Sequence, residues 1–395
     1  MIHQYIRKYS FLTLAGLALA VVTSCDNAQY DVLNNQAFIA QTKTNGNTSQ
    51  KLTVEDEGMT EVKFNVQLSD PAREDCNFDL VLDQAALDRY NKEHFTNYKQ
   101  LPENGYEMSA KTVKVAAGES LSDIIDIKIK PFTEAQKKNA EKLAIPLKLV
   151  SKDGKQSVLS SGGSIVYLLD KVVRQAVPTY NFRNVIRFSM KEDLELTQWT
   201  VEFCVNADKL GEGVGKMNNQ QLFCGWGTDG GEIFSRFGDA PIEGNRLNIK
   251  TQGGQLNSNT QFAANKWYHI AFVCTGTSLA LYVNGVLDNT VNLPGKSVKL
   301  SRNNIWFGNN NERYEWLKAN IKVSEFRLWE KALTQPQIAN NMYAVDPASE
   351  GLFAYFKFDE GKGDNFTDAR KNGNTAKVDG NGNIEWTSDV RIDGK

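Results

Sequence analysis

Histidine is scarce. The chain has 3 in 395 residues, and one is His3. Only His94 and His269 remain for an imidazole-based metal centre or proton relay, so histidine-dependent chemistry has little to draw on. The 5 cysteines, at 25, 76, 204, 224 and 274, form no C-x-x-C pair and no zinc-ligand spacing. Cys204 with Cys224 is the only disulfide to consider; buried thiols are the default. Charge of one sign is not in surplus either, with 45 basic against 47 acidic residues and a net charge of −2. No cationic excess is available to neutralise phosphates, which excludes nucleic acid as an expected partner. Proline is low, 9 against 30 glycines, as suits a fold with many turns. No G-x-S-x-G elbow or Ser-His-Asp order appears. No apolar run reaches the ~20 residues of a spanning helix.

What is present is globular: 41% hydrophobic and 23% charged residues, over a length that predicts two domains. Arg7 and Lys8 precede an apolar stretch at 11–22 (FLTLAGLALAVV), and small residues then lead to VTSC at Cys25. This pattern predicts an export signal over 1–24. Its last four residues resemble a bacterial lipobox, which implies lipidation of Cys25 and anchoring through acyl chains rather than a spanning helix. The expected location is the outer membrane, at the cell surface. Residues 25–35 are polar and read as a tether.

Residues 36–172 read as a first domain. Val62, Phe64, Val66 and Leu68 alternate with polar residues, as a half-buried strand should. Phe78, Leu80 and Leu82 repeat the pattern, as do Val113 with Val115 and Ile125, Ile127 and Ile129. Helical spacing appears at 84–94, with Leu87 and Tyr90 on one face. Thr133 and Gln136 form a candidate capping box. The expected fold is an Ig-like β-sandwich with short helices. The stretch 90–120 (YNKEHFTNYKQLPENGYEMSAKTVKVAAGES) resembles a domain family of unknown function at the N-terminus of surface lipoproteins in glycan-foraging gut bacteria. That resemblance implies a spacer or interaction module and no activity.

Residues 178–395 read as a second all-β domain. Strands recur at WTVEFCV, RLNIKT, KWYHIAFVC and LALYV, the last closing on Asn284-Gly285, the strongest short hairpin signal. The series W-x-H-I-A-x-V, LALYVNG, IWFGNN, VSEFRLWEKALTQPQI and GLFAYFKFDEGKG resembles the laminin-G-like branch of concanavalin A-type jelly rolls. The resemblance covers 180–395 and implies a mostly non-catalytic domain that binds glycans, proteins or calcium. The whole chain is thus expected to be a lipid-anchored, cell-surface glycan-binding protein working beside other glycan-uptake proteins. A glycan hydrolase and a protein-binding adhesin are the alternatives.

Hydrolysis on this jelly roll would need paired carboxylates, with retaining chemistry placing them ~5 Å apart. No E-x-D-x-x-E strand occurs; Glu192, Asp193 and Glu195 are wrongly spaced. His269 lies beside Trp267 on a strand and reads as structural. Among the 7 tryptophans, Trp199, Trp267, Trp329 and Trp386 read as core or strand-end residues. Trp306 is out of phase with Ile305 and Phe307, and is expected to face solvent or a groove. Trp226 sits in a glycine-rich loop, and Trp316 follows a polar loop with Tyr314. These rings, with Arg236, Asn248, Asn309 and Asn311 as hydroxyl partners, are the candidate glycan site. Calcium is the one candidate cofactor. The resemblance implies a structural ion at Asp368, Asn372, Gly373 and Asn374, although Lys371 departs from the family pattern and would oppose a cation.

Overall fold

The structure, a computed structural model, describes residues 35–42, 48–94, 96–138, 141–308 and 316–393. Cys25, with the signal and the tether up to residue 34, lies outside the described residues, as do Asn309, Asn311 and Tyr314. Among the described residues no helix is long and apolar enough to cross a membrane.

The chain forms two β-rich domains. In the first, one sheet runs in the order Ser49–Val54, Ser164–Lys171, Leu143–Ser151, Cys76–Leu82, Thr112–Val115. Two three-stranded sheets face it across a core that includes Phe64, Phe78, Ile127, Leu147 and Tyr167. The single strand expected over 62–68 is split. Thr60–Phe64 pairs with Ile125–Ile129, whereas Val66–Leu68 pairs with Gln36–Ile39. The chain changes sheet at Asn65, whose carbonyl accepts the Ala40 N–H at 2.9 Å. The alternating side chains still point inward on both sides of that bend, so the core pattern survives it.

Helix Gln84–His94 forms where the 3.6-residue spacing placed it. Ala86, Leu87 and Tyr90 bury against Ala144, Val166 and Leu168 on the back of the large sheet. The Thr133 capping box is present: Thr133 N–H donates to Gln136 Oε1 at 2.9 Å, and Gln136 N–H donates to Thr133 Oγ1 at 3.3 Å.

The second domain starts with strand Arg174–Tyr180, which pairs with Glu385–Arg391 and so closes the chain's end onto its beginning. It is a two-sheet sandwich. The back sheet runs Val286–Asn292, Ser278–Val283, Tyr268–Cys274, Trp199–Ala207, Ile321–Trp329, Arg174–Tyr180, Glu385–Arg391, with Leu352–Phe356 added on Ile321–Trp329. The front sheet runs Gly254–Gln261, Ile242–Thr251, Glu232–Asp239, Gln220–Trp226, Ile305–Phe307, Asn184–Ser189, Thr375–Gly380, Asn365–Thr367. Asn284 and Gly285 have φ of 50° and 77°, the paired positive values that a tight hairpin turn requires.

Inward side chains of both sheets meet in a phenylalanine-rich core. Phe188 and Phe326 are 4.8 Å apart by ring centroid, and Phe203 and Phe307 are 5.2 Å apart, edge to face. The four cysteines in the described region are free. Cys204 lies on the outer side of the back sheet and Cys224 on the outer side of the front sheet, so the sandwich core separates them and no disulfide joins them.

Candidate functional site

Strand alternation decides which residues face outward on the front sheet. Ile305, Phe307, Ile233, Phe237, Leu247 and Ile249 all enter the core. Their neighbours Trp306, Phe234, Arg236, Asn248 and Lys250 therefore project from the opposite face. Registry then aligns them across strands: Arg187 opposite Trp306, Trp306 opposite Cys224, Cys224 opposite Phe234, and Phe234 opposite Lys250. A second row places Arg236 opposite Asn248 and Asn248 opposite Asn257.

Two arginines lie over two rings in this face. Arg187 Cζ is 5.0 Å from the Trp306 centroid, and Arg236 Cζ is 4.9 Å from that of Phe234. Trp226 joins the second pair, with its centroid 5.7 Å from Phe234. Arg187 also donates from Nε and Nη2 to the Asn303 carbonyl at 3.3 and 3.2 Å. Arg236 is paired with Asp239, and Lys250 Nζ is 3.8 Å from the same carboxylate. Arg236 Nε donates to Asn248 Oδ1 at 3.2 Å, and Asn248 Nδ2 donates to Asn257 Oδ1 at 2.7 Å.

The structure thus gathers four of the expected site residues, Trp226, Arg236, Asn248 and Trp306, on one face. It changes the roles of two. Trp306 is out of phase with Ile305 and Phe307, yet it is only 2% exposed and packs with the same buried apolar cluster. Arg187 covers it, and its Nε1 donates to Asn304 Oδ1 at 3.3 Å. It is a support for the arginine and not an open platform. Asn248 is wholly buried, with both ends of its amide engaged, so it braces Arg236 and has nothing left for a ligand. Trp226 is the ring on this face that remains half-exposed.

Trp316 is half-exposed too, but it lies elsewhere. Gln220 Nε2 donates to its carbonyl at 2.7 Å, and Gln220 Oε1 accepts from Lys318 and Ala319 N–H. That holds Trp316 at the opposite end of strand Gln220–Trp226 from Trp226, about 20 Å away at the usual rise per residue. Arg187, Phe234, Lys250 and Asn257 were missed by sequence reading. Alternation in IFSRF would have exposed Phe234 beside Arg236; Arg187 becomes visible only through cross-strand registry.

The calcium residues also come together, as a closed knot of hydrogen bonds. Asp368 Oδ1 accepts the N–H of Tyr355 at 3.1 Å and of Arg370 at 3.0 Å. Asn374 Nδ2 donates to Asp368 Oδ2, Asn372 Oδ1 and the Phe353 carbonyl. Asn374 Oδ1 accepts the Lys191 N–H at 2.9 Å. Calcium takes about 6–8 oxygens. Here one carboxylate is shared among three N–H donors, and Gly373 adds a turn with φ of 99° and no side-chain oxygen. This arrangement does not fit the ion. The loop is a turn stitched by amides, and Lys371 is compatible with that. Among the described residues no group of three or more His, Cys, Asp or Glu could hold a metal.

The second polar cluster lies behind the back sheet. Glu202, opposite Arg327 in the register, receives Arg327 Nη1 at 3.2 Å and the Trp329 Nε1–H at 2.9 Å. His269 Nε2 is 3.2 Å from Glu202 Oε2. Arg327 also pairs with Glu325, which accepts the Tyr355 hydroxyl at 2.6 Å. Arg327 Nη1 then donates to the Asn341 carbonyl at 2.7 Å, tying the segment after helix Gln335–Asn340 to the sheet. His269 is a structural member of this cluster, and both glutamates are committed to the arginine. A hydrolytic pair flanking a substrate is not what these carboxylates form.

A family model for the concanavalin A-like lectin/glucanases superfamily matches residues 183–339. The second domain belongs to that superfamily. A further family model, for an N-terminal domain, matches residues 33–156, ahead of the concanavalin A-like domain and in the order expected. A search of curated proteins gives no match. Among solved structures, a Bacteroides ovatus ATCC 8483 protein to which carbohydrate binding has been ascribed is 21% identical, with a TM-score of 0.51. The alignment covers 90% of this chain and 99% of that one, so the likeness in fold extends over both domains. A heptameric SAP-like pentraxin from Limulus polyphemus is 14% identical over 52% of this chain and 95% of its own, with a TM-score of 0.37. Bacteroides thetaiotamicron EndoBT-3987, solved with a Man5GlcNAc product, is 16% identical over 34% of this chain and 30% of its own, with a TM-score of 0.28.

Proposed function

We propose that the protein is a non-catalytic glycan-binding protein, held at the bacterial surface by lipidation of Cys25. The observation that carries the binding reading is the front face of the concanavalin A-like domain. Arg187, lying over the Trp306 ring, stands with Lys250, Asn257 and the half-exposed Trp226, while the buried Arg236 braces the face beneath them. Flat apolar surface next to fixed donors is what a polyhydroxylated ligand needs, because sugar rings present both C–H faces and hydroxyls. The nearby carboxylate of Asp239 is neutralised by Arg236 and Lys250, which favours binding over general acid–base cleavage.

Electrophoresis through gels containing a panel of polysaccharides tests this. Retardation by at least one polysaccharide, without release of reducing ends, supports it. Trp226→Ala and Lys250→Ala should each weaken retention about tenfold, the effect of losing one strong contact. Release of reducing ends would replace the reading with hydrolysis. Retention of another surface protein, with no retardation by any polysaccharide, would replace it with an adhesin.

A further inference from the structure

The two domains enclose a cleft of about 650 Å³, within the roughly 300–1,000 Å³ of small-molecule sites. Its floor belongs to the concanavalin A-like domain and is apolar, formed by the Trp329 indole, Leu333 and Val345. One wall comes from the first domain, at Asn97 and Lys142; the other comes from the second domain, at Lys331 and Asp346.

The walls are held in register by direct contacts between domains. Lys51 Nζ donates to the Ala339 carbonyl at 2.8 Å, and Lys142 Nζ to the Asn340 carbonyl and, at 2.6 Å, to Asn341 Oδ1. Both ammonium groups thus sit at the carbonyl end of helix Gln335–Asn340, where the helix is electronegative. At the other side of the joint, Arg391 Nη1 is 3.2 Å from Glu55 Oε2. The cleft is therefore a preformed space rather than a gap between independent bodies.

Its polar groups divide into committed and uncommitted ones. Lys142 is committed to the helix end, Lys99 to Glu141, and Glu202 to Arg327 and Trp329 beneath the floor. Lys331 has no carboxylate partner among the described residues; its Nζ lies 5.5 Å from the Trp329 ring centroid. The exposed Asn97 amide has no hydrogen-bond partner among the described residues. Asp346 uses Oδ1 for the Ala348 N–H at 2.8 Å and keeps Oδ2. The uncommitted groups include one cation, one anion, one amide and the Ser349 hydroxyl around an apolar floor.

We infer that this cleft is a second carbohydrate site, for a short neutral oligosaccharide that touches both domains. Hydroxyls accept from Lys331 and Asn97 and donate to Asp346, while the C–H face of a sugar ring covers the apolar floor. The uncommitted charges of Lys331 and Asp346 are one of each sign, so the cleft offers no net charge that would select an anionic or a cationic ligand over a neutral one. The inference rests on the protein being glycan-binding, though not on the front face being the place.

Titration calorimetry on the full chain tests it, with maltotriose, cellotriose, laminaritriose, mannotriose and a galacturonate trisaccharide as probes. At least one neutral trisaccharide should bind. Asn97→Ala, in the first domain, and Lys331→Met, in the second, should each weaken it about tenfold, as for one lost hydrogen bond to a buried ligand. Melting temperatures equal to the wild type show that both variants fold. Ile124→Ser, at an exposed first-domain position outside the cleft lining and the front face, should leave trisaccharide affinity unchanged. The inference is overturned if no neutral trisaccharide binds, if both cleft variants bind like the wild type, or if the galacturonate probe binds best. Loss of binding in Trp226→Ala alone would move the sugar to the front face, sparing the functional reading and removing the cleft.

Discussion

Glu202 and Arg327 face each other on adjacent strands, both at 0% exposure, with Oε1 and Nη1 3.2 Å apart. Around them His269, Trp329, Glu325 and Tyr355 complete a charged cluster behind an otherwise apolar sheet. A register shift in this strand pair, between Glu202 and Cys204, leaves Glu325 with a φ of 54°. That bulge brings a second carboxylate to the same arginine. A buried ion pair adds little net stability as a whole, because desolvation offsets attraction; removing one partner is what costs.

Arg327→Met should therefore lower the unfolding free energy by about 3–5 kcal/mol, since two buried carboxylates lose their counter-charge. Urea denaturation checks this. A loss under about 1 kcal/mol would mean that the cluster tolerates an uncompensated charge.

The same cluster makes stability depend on pH. Burial pushes the His269 imidazole below its ordinary 6.5, more than Glu202 raises it. Burial would raise the Glu202 carboxyl, but Arg327, His269 and Trp329 hold it below its ordinary 4.5. Both folded values are depressed, so the unfolded chain takes up protons that the folded chain refuses. Their contribution is present above the unfolded values and is lost as pH falls, first through the imidazole and then through the carboxyl. Glu325 runs the other way: burial raises it, so its contribution is full below about 4.5 and fades as pH climbs through the raised value. The imidazole should make the unfolding free energy fall as pH drops through about 6.5, against the opposing trend from Glu325, and His269→Gln should flatten that part of the slope. Denaturation at a series of pH values checks this; a variant with the wild-type slope would take the imidazole out of it.

Trp306→Ala should cost about 3–5 kcal/mol of stability, because the indole is buried beneath Arg187. Trp226→Ala, at a half-exposed ring, should cost about 1 kcal/mol or less. Paired melting curves separate the two. Equal and small shifts would mean that Trp306 is open to solvent after all.

Calcium should leave the melting curve unchanged between chelator and millimolar ion, because the oxygens of Asp368 and Asn372 already accept amide protons. An ion that bound the folded state alone would raise the melting temperature by mass action, and such a rise would restore the metal site.

Cys25→Ala should move the protein, produced in a lipoprotein-processing bacterial host, from the detergent phase to the aqueous phase on cloud-point partition, as loss of acyl chains requires. Continued partition with detergent would remove the lipid anchor from the proposed function.

Local pattern alone was enough for much of the fold. Period-two alternation gave strands such as Trp199–Ala207 and Tyr268–Cys274, period 3.6 gave helix Gln84–His94, and Asn284-Gly285 gave its hairpin. These features depend on residues a few positions apart, which share one backbone conformation and one solvent boundary. Alternation also put Trp306 on the outer face. It could not say what lies over that face, because the cover, Arg187, stands about 120 residues earlier and meets the ring only through strand pairing. The Asp368–Asn374 knot and the Glu202–Arg327 cluster were hidden for the same reason. Whether an oxygen is free for an ion or a sugar depends on which donors arrive from other strands, and only tertiary registry decides that.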